Sequence, residues 1–556
     1  MKKSLSSESR NNDHRQPQVS RRSFIGTTAA GGAALLTGGL ASFFKEDASA
    51  GTNFPFVEMS ITQLQAAMAA GQVSAKDLVQ GYLNRIQQLN PTLNAVIETN
   101  TNAIAIANSL DRERKAGQVR GPLHGIPLLV KDNIGTNDGM QTTAGSLALY
   151  NARVPADAPL IARLRAAGAI ILGKSNLGEW ANFRDDEAET YPLAVGWSAR
   201  GGSTNNAYDL SYTSWGSSSG SGAGAAASLC AAAVGTETDG SITGPSAVEN
   251  IFGLKPTLGL ISGDGIVPIS HQQDTAGPMG RSVTDVAIML GVMQNQQTDY
   301  RPLLQRGALN GKVIGRDTRF FDYSYYGSGI PGDEESVAFA EHALTVMESL
   351  GATVVDVDTG NVFDYNGDEF TALLYEFRAQ IADYLGTLTH TNLRTLADLI
   401  AFNTANCTQE MPYYDQDVFL FADQFPGYPN DPTYVAARTH ARTAAQTGID
   451  TVIGSGVDAI VAPHLTNSTG PAVAGYPNFS MPVGIRLSGR PVGMLMYSTA
   501  MREAQLIAMA YDLEQELNAR RQPQFLGAIT PIPNGEFCNG HQTQGKPHLP
   551  HHGRIF

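Results

Sequence analysis

Three short segments carry side chains that could break an amide or ester bond. The first is a Ser-Gly-rich loop, Gly216-Ser217-Ser218-Ser219-Gly220-Ser221-Gly222. The second is Thr236-Glu237-Thr238-Asp239-Gly240-Ser241-Ile242, which sets Ser241 24 positions after Ser217. The third is Gly125-Ile126-Pro127-Leu128-Leu129-Val130-Lys131, an apolar run closed by a lysine. A serine hydroxyl is a weak nucleophile at neutral pH and needs an adjacent base. A lysine can be that base only when neutral, and desolvation favours the neutral form. The run before Lys131 reads as a buried strand, so its side chain would emerge at a strand end, where α/β proteins place their sites.

Taken together and in this order, the segments resemble the amidase signature family, and most of all its bacterial peptide amidase-like branch. The resemblance implies a Ser-Ser-Lys site without histidine. Lys131 would be the base, Ser217 the bridging serine after a cis peptide bond, Ser218 a supporting hydroxyl and Ser241 the nucleophile. Backbone N–H groups of Thr238, Asp239, Gly240 and Ser241 would hold the oxyanion, since consecutive amides can cradle developing negative charge. Many members read Thr-Asp, one residue, Gly-Gly-Ser-Ile; this chain departs from that with Glu-Thr-Asp-Gly-Ser-Ile. Trp180-Ala181-Asn182-Phe183-Arg184 and Trp197 to Gly202 also resemble the branch, and Asn182 and Phe183 are expected at the substrate. Gly253-Leu254-Lys255-Pro256-Thr257 and Asp274-Thr275-Ala276-Gly277-Pro278 continue the likeness, which spans residues 58–530. It implies no metal and no organic cofactor, and a small amide or peptide amide as substrate.

Each part has a plainer reading by itself. A Ser-Gly run is commonly a linker, a lysine a solvated charge, and a serine a turn residue. Their joint occurrence favours the site. Gly168 to Ser175 fits a phosphate-loop pattern, Gly-x4-Gly-Lys-Ser. Its Ala169-Ile170-Ile171-Leu172 centre is a strand, however, and a phosphate cradle needs a loop there. His124 and His271 make a Ser-His-Asp triad imaginable, but no clear Gly-x-Ser-x-Gly elbow in strand-turn-helix context accompanies them. His541, His548, His551 and His552 lie in a polar tail without regular ligand spacing. Cys230 is expected on a small apolar helix facing the core.

The elements that must position these residues alternate between helix and strand, which reads as α/β: a large mixed β-sheet flanked by helices on both faces. A capping box at Ser74-Ala75-Lys76-Asp77 opens a helix with Leu78, Tyr82, Ile86 and Leu89 on one face. Further helices are expected over 103–116, 159–167, 283–292, 334–350 and 502–517. Strands are expected at 169–172, 312–315 and 352–356. Residues 360–430 read as a helical, aromatic cover over the cleft.

The N-terminus reads as a targeting segment. Ser20-Arg21-Arg22-Ser23-Phe24-Ile25 is a twin-arginine motif, and Ala48-Ser49-Ala50 fits small-residue cleavage. The expected organisation is a signal peptide over 1–50, a linker over 51–57, the catalytic domain over 58–530 and a polar tail over 531–556. Export to the periplasm or medium through the twin-arginine machinery follows. The intervening stretch is too short and glycine-rich for a stable membrane anchor. The net charge is −14. Removing residues 1–50, with seven basic and four acidic side chains, takes it to −17. Such an acidic body argues against nucleic-acid partners. Three cysteines do not make a disulfide framework, although an oxidising compartment would allow a Cys407–Cys538 bridge.

The expected function is therefore an exported serine amidohydrolase, with C-terminal peptide amides as the favoured substrate. The alternatives are an amidotransferase A-type subunit releasing ammonia for transfer-RNA amidation, and a noncatalytic binding protein on the same fold.

Overall fold

The computed structural model describes residues 55–185, 194–322, 333–532 and Cys538. The described residues from Phe56 onward belong to one unit, separate from Met1–Pro55. The twin-arginine segment and the four tail histidines lie outside the described residues. The unit from Phe56 onward is built on an 11-stranded sheet. Its strands are β1 (Val96–Thr99), β2 (Pro127–Lys131), β3 (Ile170–Ser175), β4 (Ala232–Glu237), β5 (Phe252–Lys255) and β6 (Thr275–Gly280). They continue with β7 (Val313–Asp317), β8 (Thr353–Val357), β9 (Ala459–Pro463), β10 (Asn478–Ile485) and β11 (Pro491–Tyr497). Their spatial order is β1-β3-β2-β4-β6-β5-β10-β11-β9-β7-β8.

The sheet is mixed. β3, β2 and β4 run parallel, as do β9, β7 and β8, with antiparallel pairs between. Its centre is closed to solvent: every residue of β2, β3 and β4 is buried. That is why these strands read as continuous apolar runs rather than alternating ones. Helices lie on both faces. A Cβ on Gly253 would meet Ser246 and Ile242, whereas one on Gly280 would meet Asp285 and Val286. Gly253 pairs with Met279 and Gly280 with Phe252, so the two glycines face opposite ways.

The capping box at Ser74 and Asp77 is present in both directions and opens Ala75–Leu93, with Leu78, Tyr82 and Ile86 buried. The remaining helices fall within a few residues of expectation: Ala103–Lys115, Pro159–Ala166, Val283–Met293, Glu334–Ser349 and Glu503–Leu517. β3 extends through Gly173, Lys174 and Ser175, so the phosphate-loop pattern is strand, and Lys174 Nζ is spent on Ile134 O and Thr142 Oγ1. Cys230 departs from the expectation of a helical position. Helix Ser219–Ala226 ends earlier, because Ser228 turns left-handed at φ 55° and Leu229 N–H closes back on Gly224 O at 2.8 Å. Cys230 is still fully buried.

Residues 360–430 form the helices Asn366–Thr387, Leu396–Ala405, Cys407–Glu410 and Asp417–Ala422. With Pro432–Gly454 they make a helical layer, which has its own core of Phe370, Leu373, Phe377, Ile381 and Phe419 joined by Trp180 and Phe183. Cys407 is disulfide-bonded to Cys538, with Cα atoms 5.6 Å apart. No helix among the described residues is long and apolar enough to cross a membrane.

Candidate active site

Lys131 ends β2, fully buried. Its Nζ donates to Ser217 Oγ at 2.7 Å, to Thr236 Oγ1 at 2.9 Å and to Thr236 O at 3.1 Å. Burial pulls the ammonium down to about 7, against the opposing pull of Asp274 and Glu237. A lysine so placed holds a large neutral fraction near neutral pH and can accept a proton. The parallel pairing of β2 with β4 brings Lys131 and Thr236 together at adjoining strand ends. Asn133 Nδ2 donates to Thr236 Oγ1 at 3.0 Å and fixes that hydroxyl.

The serine loop enters helix Ser219–Ala226 through a cis Gly216–Ser217 peptide bond. Ser217 and Ser218 are inaccessible. Ser218 Oγ donates to Thr236 O at 3.0 Å and accepts from Thr236 N–H at 3.2 Å. Ser218 N–H donates to Ser241 O at 3.1 Å. One residue thus ties the loop both to β4 and to the turn that carries Ser241. The helix can sit this deep because Gly220 has no side chain: a Cβ there would lie 2.3 Å from Ala95 O and 2.4 Å from Asn176 N.

The turn 238–241 follows β4 directly. Gly240 adopts φ +73°, a left-handed conformation natural to glycine. Glu237 Oε2 accepts from Ile242 N–H at 2.7 Å and Thr243 N–H at 2.8 Å. A buried carboxylate therefore holds the backbone immediately after Ser241. Thr238 Oγ1 donates to Asp274 Oδ1 at 2.6 Å, and Asp274 is set by the N–H groups of Ile269 and Ser270. Asp239 Oδ2 accepts from Thr469 Oγ1 at 2.6 Å, and burial pushes its carboxyl up to about 7. The backbone N–H groups of Asp239, Gly240 and Ser241 have no acceptor among the described residues. Ser241 Oγ makes no hydrogen bond there either, and Ser241 keeps 7% of its surface open. The turn therefore offers a hydroxyl and a run of amides that are committed to nothing else.

Asn182 fills the space between Gly178 and Gly216: a Cβ on Gly216 would approach its Nδ2 to 2.7 Å. It is half-buried, beside the peptide unit that leads to Ser217. Phe183 has a different setting from the one expected of a substrate contact. It is 2% exposed and lies edge-on to Phe377 at 5.1 Å, inside the core of the helical layer. Arg184 is buried on Glu179, and Trp197 packs on Tyr413 and Tyr414.

The histidines stand apart from this chemistry. His124 is fully buried; its Nδ1 accepts from Arg120 N–H at 3.3 Å, so Nε2–H donates to Leu110 O at 2.9 Å. His271 is exposed. Residues not singled out from the sequence as site residues also meet here. Thr236, Glu237 and Asp274 lie inside recognisable motifs, so the signal was present for them. Gln273 precedes Asp274 directly, whereas its partners Glu369 and Arg438 come from remote segments and leave no local mark.

The sheet thus carries a buried lysine bonded to Ser217, in a loop whose next residue bonds the backbone of Ser241. The sequence profile of the family described as Amidase matches residues 77–507. The chain belongs to this amidase signature family and is a hydrolase of carbon–nitrogen bonds in amides. It is similar to the native peptide amidase from Stenotrophomonas maltophilia, at 43% identity and a TM-score of 0.78, over 85% of this chain and 100% of that one. It is 33% identical over 517 residues to a putative amidase of Schizosaccharomyces pombe, covering 85% of this chain and 88% of that protein. It is also 32% identical over 503 residues to the A-type subunit of the glutamyl-tRNA(Gln) amidotransferase of Halorhodospira halophila, covering 84% of this chain and 98% of that protein.

Proposed function

We propose that the chain is an exported serine amidase that works through Lys131, Ser217 and Ser241. The carrying observation is the 2.7 Å bond from buried Lys131 Nζ to Ser217 Oγ, in a loop that Ser218 pins to Ser241. In the proposed reaction, neutral Lys131 keeps its two N–H groups on Thr236 and accepts from the Ser217 hydroxyl across the 2.7 Å contact; it takes that proton as Ser217 takes the proton of Ser241. Ser241 Oγ bonds to the amide carbonyl carbon, and the carbonyl electron pair moves to oxygen. That oxyanion is met by the free amides of the 238–241 turn. Collapse breaks the C–N bond, and the proton returns from Lys131 through Ser217 to the departing nitrogen. Water then attacks the acyl-enzyme by the same relay and restores Ser241. Asn182 borders the reacting carbonyl.

The likeness to a peptide amidase supports a C-terminal peptide amide as substrate. The likeness to an amidotransferase of the A type supports a second reading, release of ammonia for transfer. The twin-arginine motif supports export, as does the Cys407–Cys538 bridge, because disulfides persist in oxidising compartments. Matched assays of amidated and free peptides test the substrate. Ammonia release that needs an amidated C-terminus is expected; turnover of glutamine alone would favour the transfer reading.

A further inference from the structure

Several side chains of the helical layer reach the loop before β6. Ser270 Oγ donates to Glu376, and His271 N–H donates to Gln380 Oε1 at 2.6 Å. Arg442 reaches Gln272 O. The centre of the arrangement is Gln273, which is 1% exposed. Its Nε2 donates to Thr238 O at 3.1 Å and to Glu369 Oε1, and its Oε1 accepts from Arg438 Nη1 at 2.9 Å. Arg438 in turn donates from Nε to Glu376 Oε1 at 2.9 Å and from Nη2 to Glu376 Oε2 at 2.5 Å. Tyr434 OH donates to Glu376 Oε1 at 2.8 Å.

These contacts fix which way the Gln273 amide faces. Its oxygen must meet the arginine, so its two N–H groups meet Thr238 O and Glu369. Burial and the nearby Asp239 push the Glu369 carboxyl well above its usual range, and its Oε1 can accept in either state. The consequence reaches the reaction centre through one rigid unit. Thr238 C=O and Asp239 N–H belong to the same planar peptide, and in a trans peptide they point in opposite directions. Holding Thr238 O therefore aims Asp239 N–H, one of the three uncommitted amides of the turn.

We infer that Gln273 is a positioning residue for the oxyanion turn, with Arg438 and Glu376 acting through it from helices Asn366–Thr387 and Pro432–Gly454. This rests on the reading of residues 238–241 given above. It assigns the helical layer a part in the chemical step. A purely structural role would lower thermal stability and leave the reactivity of the folded enzyme alone.

The test uses the full chain and a fluorophosphonate probe, which phosphonylates an activated serine and presents an oxygen to the same turn. Gln273→Leu and Arg438→Met should each lower the maximal inactivation rate about tenfold or more, part of the roughly 10²–10³-fold cost of removing one oxyanion donor. The probe concentration at half-maximal rate should stay near the wild-type value. The double variant should be no slower than the slower single variant, because both act through one contact. Should Gln273→Leu fail to fold, Gln273→Met removes the same bonds at similar volume. Rates within about twofold of wild type, or effects that multiply in the double variant, would overturn the inference. A wild-type enzyme that does not label at Ser241 would instead overturn the reading of the turn, and the inference with it.

Discussion

At the scale of single residues, the account turns on the charge of Lys131. Its side chain makes three hydrogen bonds and no close ion pair among the described residues, so burial dominates and the neutral form is accessible near pH 7. The sign follows directly. In the proposed mechanism neutral lysine is the base, so kcat/KM should fall as pH drops through about 7, with about a tenfold loss per unit on the acidic limb. Lys131→Ala should lower the chemical step by about 10²–10⁴-fold and abolish that limb. Replacing exposed His271 should leave both rate and limb in place. A pH profile that follows His271, with Lys131→Ala near normal, would contradict the assignment. Phe183 makes a separate residue-scale case. Because it packs among Phe370 and Phe377, Phe183→Ala should destabilise the fold by about 3–5 kcal/mol. The enzyme that remains folded should keep its KM; a raised KM at unchanged stability would return Phe183 to the substrate.

At the scale of elements, the site is two strand ends, a loop and a turn brought into register. β2 and β4 supply Lys131 and Thr236, the loop before helix Ser219–Ala226 supplies Ser217 and Ser218, and the turn after β4 supplies Ser241. Glu237 stiffens that turn through two backbone N–H groups. Glu237→Ala leaves both unpaired inside the protein, at a cost of about 1–3 kcal/mol each. Lower denaturation midpoints together with slower turnover are expected, and unchanged values of both would show that the turn holds itself. Much of this was legible in the sequence. The strand before Lys131 announced itself by an unbroken apolar run, and the helix at Ala75 by its reciprocal cap. The serines stood in motifs with fixed spacing. What stayed hidden depends on distance along the chain. Gln273 meets Glu369 across 96 residues and Arg438 across 165, and no local pattern encodes such partners. The core packing of Phe183 stayed hidden for another reason: three successive left-handed residues, Trp180, Ala181 and Asn182, precede it, and no propensity announces them. Cys230 shows the limit of propensity, since an alanine-rich run continued as helix only until Ser228 turned it.

At the scale of the whole molecule, the helical layer and the Cys407–Cys538 bridge belong to one description. The bridge closes a long loop and ties Cys538 to helix Cys407–Glu410. Glu410 in turn accepts from Leu147 N–H at 2.8 Å, beyond the layer itself. Loss of the bridge in Cys407→Ser should cost about 2–4 kcal/mol, read from denaturant midpoints. Export and oxidation should be linked. Arg21→Lys with Arg22→Lys should leave precursor inside the cell with both thiols free to alkylate. Normal accumulation of an oxidised, exported double variant would contradict the proposed route. The central claim at every scale is that Ser241 attacks the carbonyl with Lys131 as its base through Ser217. Its most direct measurement is mass spectrometry of the fluorophosphonate-treated protein, in wild type and in Lys131→Ala. The account predicts a single adduct on Ser241 that forms far more slowly without Lys131. An adduct on Ser221 or Cys230, or labelling of Ser241 at an undiminished rate in Lys131→Ala, would contradict it.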